Sequence, residues 1–163
     1  MANAGDTREV LTVTEQESIA KALILLLKQN PVFTGKTAYN MQEVKDNGMG
    51  LFPLQGTVYD KRFIDGSFYA IYAFAIRYRV ALKSDENKVK EQDKLSLLAQ
   101  WLEGKPITIN GTTYQLTEYP ALTDNREIRE IVRTSDTYLA DAFDDGSCDY
   151  QVQMRLKYFK KGF

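Results

Sequence analysis

The chain has 163 residues, 44% hydrophobic and 26% charged, with a formal net charge of −1. That length and balance describe one soluble domain able to bury a proper core, and near-neutrality removes any global attraction to nucleic acid or anionic membrane. Histidine is absent and Cys148 is the sole cysteine, which excludes Ser-His-Asp and Cys-His catalysis, histidine-based metal sites, internal disulfides and thiolate zinc clusters.

Residues 1–13 open small and polar, which predicts a flexible N-terminal arm with a short extended segment around Val10, Leu11 and Val13. The opening MANAGDTREV has no signal-peptide core, and no apolar run is long enough to cross a bilayer. The expectation is a protein made in the cytoplasm. A single domain over 14–163 follows.

Thr14 and Glu17 have the spacing of a capping box, and Ile19, Leu23, Leu26 and Leu27 recur at helical intervals until Asn30-Pro31. A helix over 15–29 is predicted. Residues 32–50, VFTGKTAYNMQEVKDNGMG, hold no sustained period yet carry Phe33, Tyr39 and Met41. A loop of that length is usually functional or disordered. Its apolar residues suit either packing on the domain's own core or an arm ordered by a neighbouring subunit.

Leu51–Phe63 reads as the first arm of a hairpin that turns at Asp65-Gly66. The second arm alternates over 68–80. Phe68, Ala70, Tyr72, Phe74, Ile76, Tyr78 and Val80 take one face, and Tyr69, Ile71, Ala73, Ala75, Arg77 and Arg79 the other. Ser84-Asp85-Glu86 starts a second amphipathic helix over 87–103, with Val89, Leu95, Leu98, Trp101 and Leu102 as its stripe and Gly104 at its end. Its Trp101 and Leu98 are expected beneath the strand bearing Tyr72, Phe74 and Ile76. Asn110-Gly111 marks a small extra hairpin.

Near the C-terminus the first turn is echoed. Phe63-Ile64-Asp65-Gly66-Ser67 returns as Phe143-Asp144-Asp145-Gly146-Ser147, followed by an alternating strand from Cys148 to Tyr158. Duplication and convergence on good turn chemistry both account for the echo. Two such hairpins predict one antiparallel sheet of about four strands, with both helices on one face, an α+β fold.

Two groups invite a chemical reading. Asp136, Asp141, Asp144, Asp145 and Asp149 are carboxylate-rich, but the spacing is not that of a calcium loop, and solvated turn residues explain them better. Arg77, Arg79, Arg155 and Lys157 are expected together on the polar face at one end of the sheet. A stripe that short, without exposed aromatics, suits an acidic protein surface better than nucleic-acid readout.

The stretch from Lys61 to Phe159 resembles the tail-terminator or minor capsid group of long-tailed phages and prophages. The resemblance is carried by the aromatic-x-Asp-Gly turn before a strand, the helix ending QWLEG at Gly104, the Thr-Tyr-Leu-Ala-Asp-Ala run ending at Ala142, and DYQVQMRLKYF up to Phe159. It implies a structural virion protein at the tail–neck junction that acts without a cofactor. Family members form a ring, usually of six subunits, on the head-proximal end of the tail tube. The ring stops tube polymerisation and meets the neck connector. Expected partners are further copies of the chain, the tail tube protein and a connector protein, with no sequence-specific nucleic acid although DNA passes the ring. Arg77, Arg79, Arg155, Lys157, Tyr69, Ile71, Phe33, Tyr39 and Met41 are the candidate subunit-interface residues. A different head–tail joining protein, a stopper or connector, shares this build. A small carboxylate-dependent enzyme or ligand-binding domain would instead hold two or more aspartates in a concave pocket.

Overall fold

The computed structural model describes residues 8–33, 39–40, 48–81 and 85–162. Its order is α1 (Val13–Leu27), β1 (Tyr39–Asn40), β2 (Met49–Pro53), β3 (Val58–Arg62), β4 (Phe68–Val80), α2 (Asp85–Leu102), β5 (Ile107–Ile109), β6 (Thr112–Tyr114), β7 (Arg126–Arg133), β8 (Tyr138–Ala142) and β9 (Cys148–Lys160). The fold is α+β. Among the described residues seven strands, not four, make the main sheet, and β5–β6 is the expected small hairpin, turning with Asn110 at φ 50° and Gly111 at φ 81°.

The additional strands come from arms that break. The predicted arm 51–63 divides into β2 and β3, separated at residues 54–57 where Gly56 has φ 94°. The loosely alternating stretch after Arg126 divides likewise into β7 and β8. The long strands β4 and β9 lie antiparallel at the centre, paired along their whole length from Phe68–Lys160 to Val80–Cys148. β2 and β3 share the outer side of β4, while β7 and β8 share the outer side of β9. β1 runs parallel to β2.

The two halves are one design used twice. Adding 80 to the numbers of β3 and β4 gives β8 and β9, with the same pairing register and a bulge at the same place, after Tyr59 and after Leu139. The turns match as well. Phe63 N–H donates to the Ser67 carbonyl and Ser67 N–H to the Asp65 carboxylate, as Phe143 and Ser147 do with Ser147 and Asp145. Gly66 and Gly146 take φ 89° and 88°, which only glycine adopts without strain. Since Phe74 pairs with its own equivalent, Met154, the halves are related by a pseudo-twofold axis through that pair. The two turn tips therefore sit at opposite ends of the sheet, roughly 40 Å apart at about 3.3 Å per residue.

Both helices bury their stripes against the even-numbered face of β4, namely Phe68, Ala70, Tyr72, Phe74, Ile76, Tyr78 and Val80, and against the matching face of β9. α2 touches both central strands, β9 more than β4, and its Leu98 and Trp101 lie in one buried cluster with Tyr72, Phe74 and Ile76. Val89 leaves the predicted stripe and is exposed. α1 starts earlier than predicted. Thr12, not Thr14, is its N-cap, its hydroxyl accepting from Glu15 N–H at 3.2 Å. At the far end, Asn30 stops the helix. Its amide nitrogen donates to the Leu27 carbonyl, and its oxygen accepts from the N–H groups of Val32 and Phe33.

Of the predicted N-terminal arm, residues 1–7 lie outside the described residues, and the short extended segment that follows them is fastened to β3. Val10 bridges Val58, Leu11 N–H donates to the Thr57 carbonyl, and Leu11 is buried. Most of the 32–50 arm, including Met41, lies outside the described residues.

Candidate assembly surface

Among the described residues no helix covers the odd-numbered face of β4. In register order that face carries Phe52 from β2, Val58 and Lys61 from β3, and Tyr69 to Arg79 from β4. It continues with Asp149 to Phe159 from β9, then Glu127, Glu130 and Val132 from β7 and Tyr138 and Asp141 from β8. It is a broad mixed surface with a polar centre.

The four candidate cations do share this face but not one end of it. Antiparallel pairing sets Arg77 and Arg79 beside Gln151 and Asp149, whereas Arg155 and Lys157 fall beside Ala73 and Ile71. Each of the four has a partner within the chain. Arg79 clamps Asp149 with Nε and Nη2 at 2.8 and 3.1 Å. Arg77 donates to Gln151 at 2.9 Å and stands 3.8 Å from Asp149. Lys157 pairs with Asp60 at 3.5 Å, and Arg155 reaches Glu130 at 4.0 Å. Tyr138 accepts from the side-chain amides of Gln151 and Gln153, tying the centre together.

Asp149 makes Arg79 structural. The carboxylate side chain is only 1% exposed, so losing the fork strands a buried charge. Arg79→Ala should cost about 2–3 kcal/mol of stability, read from a urea titration. Arg79→Glu should prevent folding rather than report on assembly. An Arg79→Ala protein as stable as wild type would remove Asp149 from the account.

The apolar strip expected on this face is narrower than its sequence suggests. Ala75, between Phe52 and Gln153, is fully buried, and Ile71, between Val58 and Lys157, nearly so. Tyr69 remains half-exposed in a cluster of rings and cations. Its ring lies 5.0 Å from that of Phe159 and 6.0 Å from that of Phe63, with Lys157 at 5.4 Å and Arg129 at 6.0 Å. Lys61 stacks over Phe63 at 5.2 Å. Such contacts hold cations in place at little cost in their charge. Phe33 belongs to the core, its ring 4.8 Å from Tyr78, and Tyr39 donates its hydroxyl proton to the Leu27 carbonyl.

Asp141 stands opposite Asp149 across the β8–β9 ladder, where Arg79 clamps the Asp149 carboxylate. Asp145 accepts from the Ser147 hydroxyl and backbone, which hold its carboxyl below the usual range, and Asp141 accepts from Ala142 N–H. Among the described residues no group of three or more acidic or cysteine side chains is placed to hold a metal ion. A cleft of about 410 Å³ between α1 and the 120–123 loop is lined by Lys21, Leu25, Leu26, Gln29 and Leu122 among others, with no carboxylate.

Sequence reading passed over one cluster. Beneath the sheet, Arg126 forks onto Glu15 at 2.7 and 2.8 Å, and Tyr158 donates to the same carboxylate at 2.8 Å. Burial pushes the Glu15 carboxyl up, but hydrogen bonds from Arg126 and Tyr158, with the charges of Arg126 and Lys160, hold it below its ordinary value. The visible signal was a glutamate one turn before Ile19 on the apolar stripe. Tyr78, the equivalent of Tyr158, faces Glu91 of α2 in the same way, and burial with that carboxylate raises its phenol. No family model matches the chain, and no curated protein matches it either.

Proposed function

We propose that the chain is a structural virion protein, a tail terminator that closes into a ring on the head-proximal end of a phage tail tube. The observation that carries the reading is the uncovered face of a seven-stranded sheet whose buried charge, Asp149, and its partners Arg77 and Arg79 are fixed within the chain. A surface so preorganised suits repeated protein contact, because little side-chain freedom is lost when it is covered. The resemblance over Lys61–Phe159 supplies the place and the role: ending tube polymerisation and presenting a seat for the connector. The ring needs no cofactor, and its neighbours are its own copies, the tube protein and the neck.

The test is assembly with and without tube. Purified protein viewed by electron microscopy should give rings, alone or on the tips of tail tubes, and tails assembled without it should vary in length. Rings that bind the portal side and ignore tubes would make it a stopper or connector instead. A neck structure lacking this chain would sink the proposal.

A further inference from the structure

The two turn tips are structurally equivalent and chemically opposite. At the first, Lys61 and Arg62 lead into Phe63 and Ile64. At the matching positions of the second stand Asp141, Ala142, Phe143 and Asp144. Lys61 and Asp141 occupy the same place on the uncovered face. Behind the first tip Lys157 and Arg129 stand over Tyr69, paired with Asp60 and Glu127, and Arg62 pairs with Glu9. At the second, Arg79, clamped by Asp149, lies 4.4 Å over the Phe143 ring, which leaves Lys61 and Asp141 as the contrasting exposed charges. Each tip also offers apolar surface: Ile64 is wholly exposed, Phe63 38%, Leu139 55% and Phe143 36%.

Nothing in the fold requires Ile64 to be apolar, since its equivalent Asp144 serves the same turn. The first tip is rigid as well. Residue 162 crosses its backbone so closely that a Cβ there would come within 2.6 Å of it, and Gly162 N–H donates to the Ser67 hydroxyl. We infer that the basic tip of one copy, Lys61 to Ile64, docks on the acidic tip of a second copy, around Leu139, Asp141, Phe143 and Asp144. Like tips repel each other, so opposite charges select basic-to-acidic pairing over a symmetric basic-to-basic dimer. The tips sit at opposite ends of the subunit, which makes the contact head-to-tail, and a head-to-tail contact propagates until it closes. This deepens the ring reading and rests on it.

Exchanging the tips tests it. Lys61→Asp with Ile64→Asp gives a protein with two acidic tips, and Asp141→Lys with Asp144→Ile one with two basic, apolar tips. All four positions are exposed, so circular dichroism should show both variants folded. Sedimentation velocity should find self-association of each alone weakened by about tenfold or more, and an equimolar mixture should restore it. Variants that assemble like wild type, or a mixture that stays dissociated, would overturn the tip contact while wild-type rings left the ring reading standing. Wild type that never assembles, alone or with tail tubes, would overturn both.

Discussion

Replacing Arg126 with alanine should lower the stability of the fold by about 3–5 kcal/mol, the range for leaving one member of a buried ion pair alone. The pair spans the fold: Glu15 lies in the first turn of α1, Arg126 begins β7, and Tyr158 sits near the end of β9. The side chains of Arg126 and Glu15 are 3% and 8% exposed, so water cannot enter cheaply to replace the fork. Arg126→Lys keeps the charge but loses the two-point geometry and should recover only part of the loss. A urea titration in which Arg126→Ala matched wild type would show that this cluster does not fasten α1 to the sheet.

The same cluster sets an acid limb. The Glu15 carboxyl is held below its ordinary value, so folding favours the carboxylate. That contribution is complete above about pH 4.3, the unfolded value, and disappears as pH falls through the folded one. With Arg126 gone, burial is opposed only by Tyr158 and Lys160. The gap between wild type and Arg126→Ala should therefore be widest near neutrality and narrow in acid. On the alkaline side Tyr78 and Tyr158 are raised, and Tyr72 is pushed up to about 12 by burial. Their contribution is full below about pH 10 and fades as pH rises through the folded values.

The frame of the molecule was legible because each central element obeys a local rule. Alternation over 68–80 and 148–158 named the buried face of both long strands, and both Asp-Gly turns fall where glycine reaches positive φ. The pairing of those strands was not legible in its consequences. Period two reveals faces but not direction, so Arg77, Arg79, Arg155 and Lys157 were gathered at one end when antiparallel pairing separates them. Nor does alternation report partners. Asp149 reads as one more turn aspartate until Arg79 is seen across the strand gap. Glu15 was hidden differently, because a charge on an apolar stripe has meaning only once its distant partner is known, and Arg126 lies 111 residues away. The tips share a Phe-x-Asp-Gly-Ser frame, and the residues that differ within it acquire meaning only when antiparallel pairing sets the two turns at opposite ends of the sheet.

Trp101→Ala should cost about 3–5 kcal/mol, the usual loss on emptying a large aromatic site, and the surroundings argue for the upper part of that range. Trp101 is 6% exposed among Leu95, Leu98 and Leu102, which are fully buried. The cost of such a cavity depends on how far the site can collapse, and here the helix end is pinned. Glu103 accepts from Arg133 Nε at 2.8 Å and from its backbone N–H at 3.2 Å, fixing α2 to β7. Tyr119 donates to the Leu102 carbonyl at 2.6 Å, occupying an acceptor that the helix end leaves open. Gly104, at φ 80°, turns the chain away directly afterwards. With the last turn held at those points, α2 cannot settle toward the sheet to fill the space. Trp101→Phe should recover part of the loss, and Val89→Ala, on the exposed side, should fall within about 0.5 kcal/mol of wild type. Urea titrations of the three variants decide the matter. Equal losses for Trp101→Ala and Val89→Ala would mean that α2 does not cover β9 with the face assigned to it.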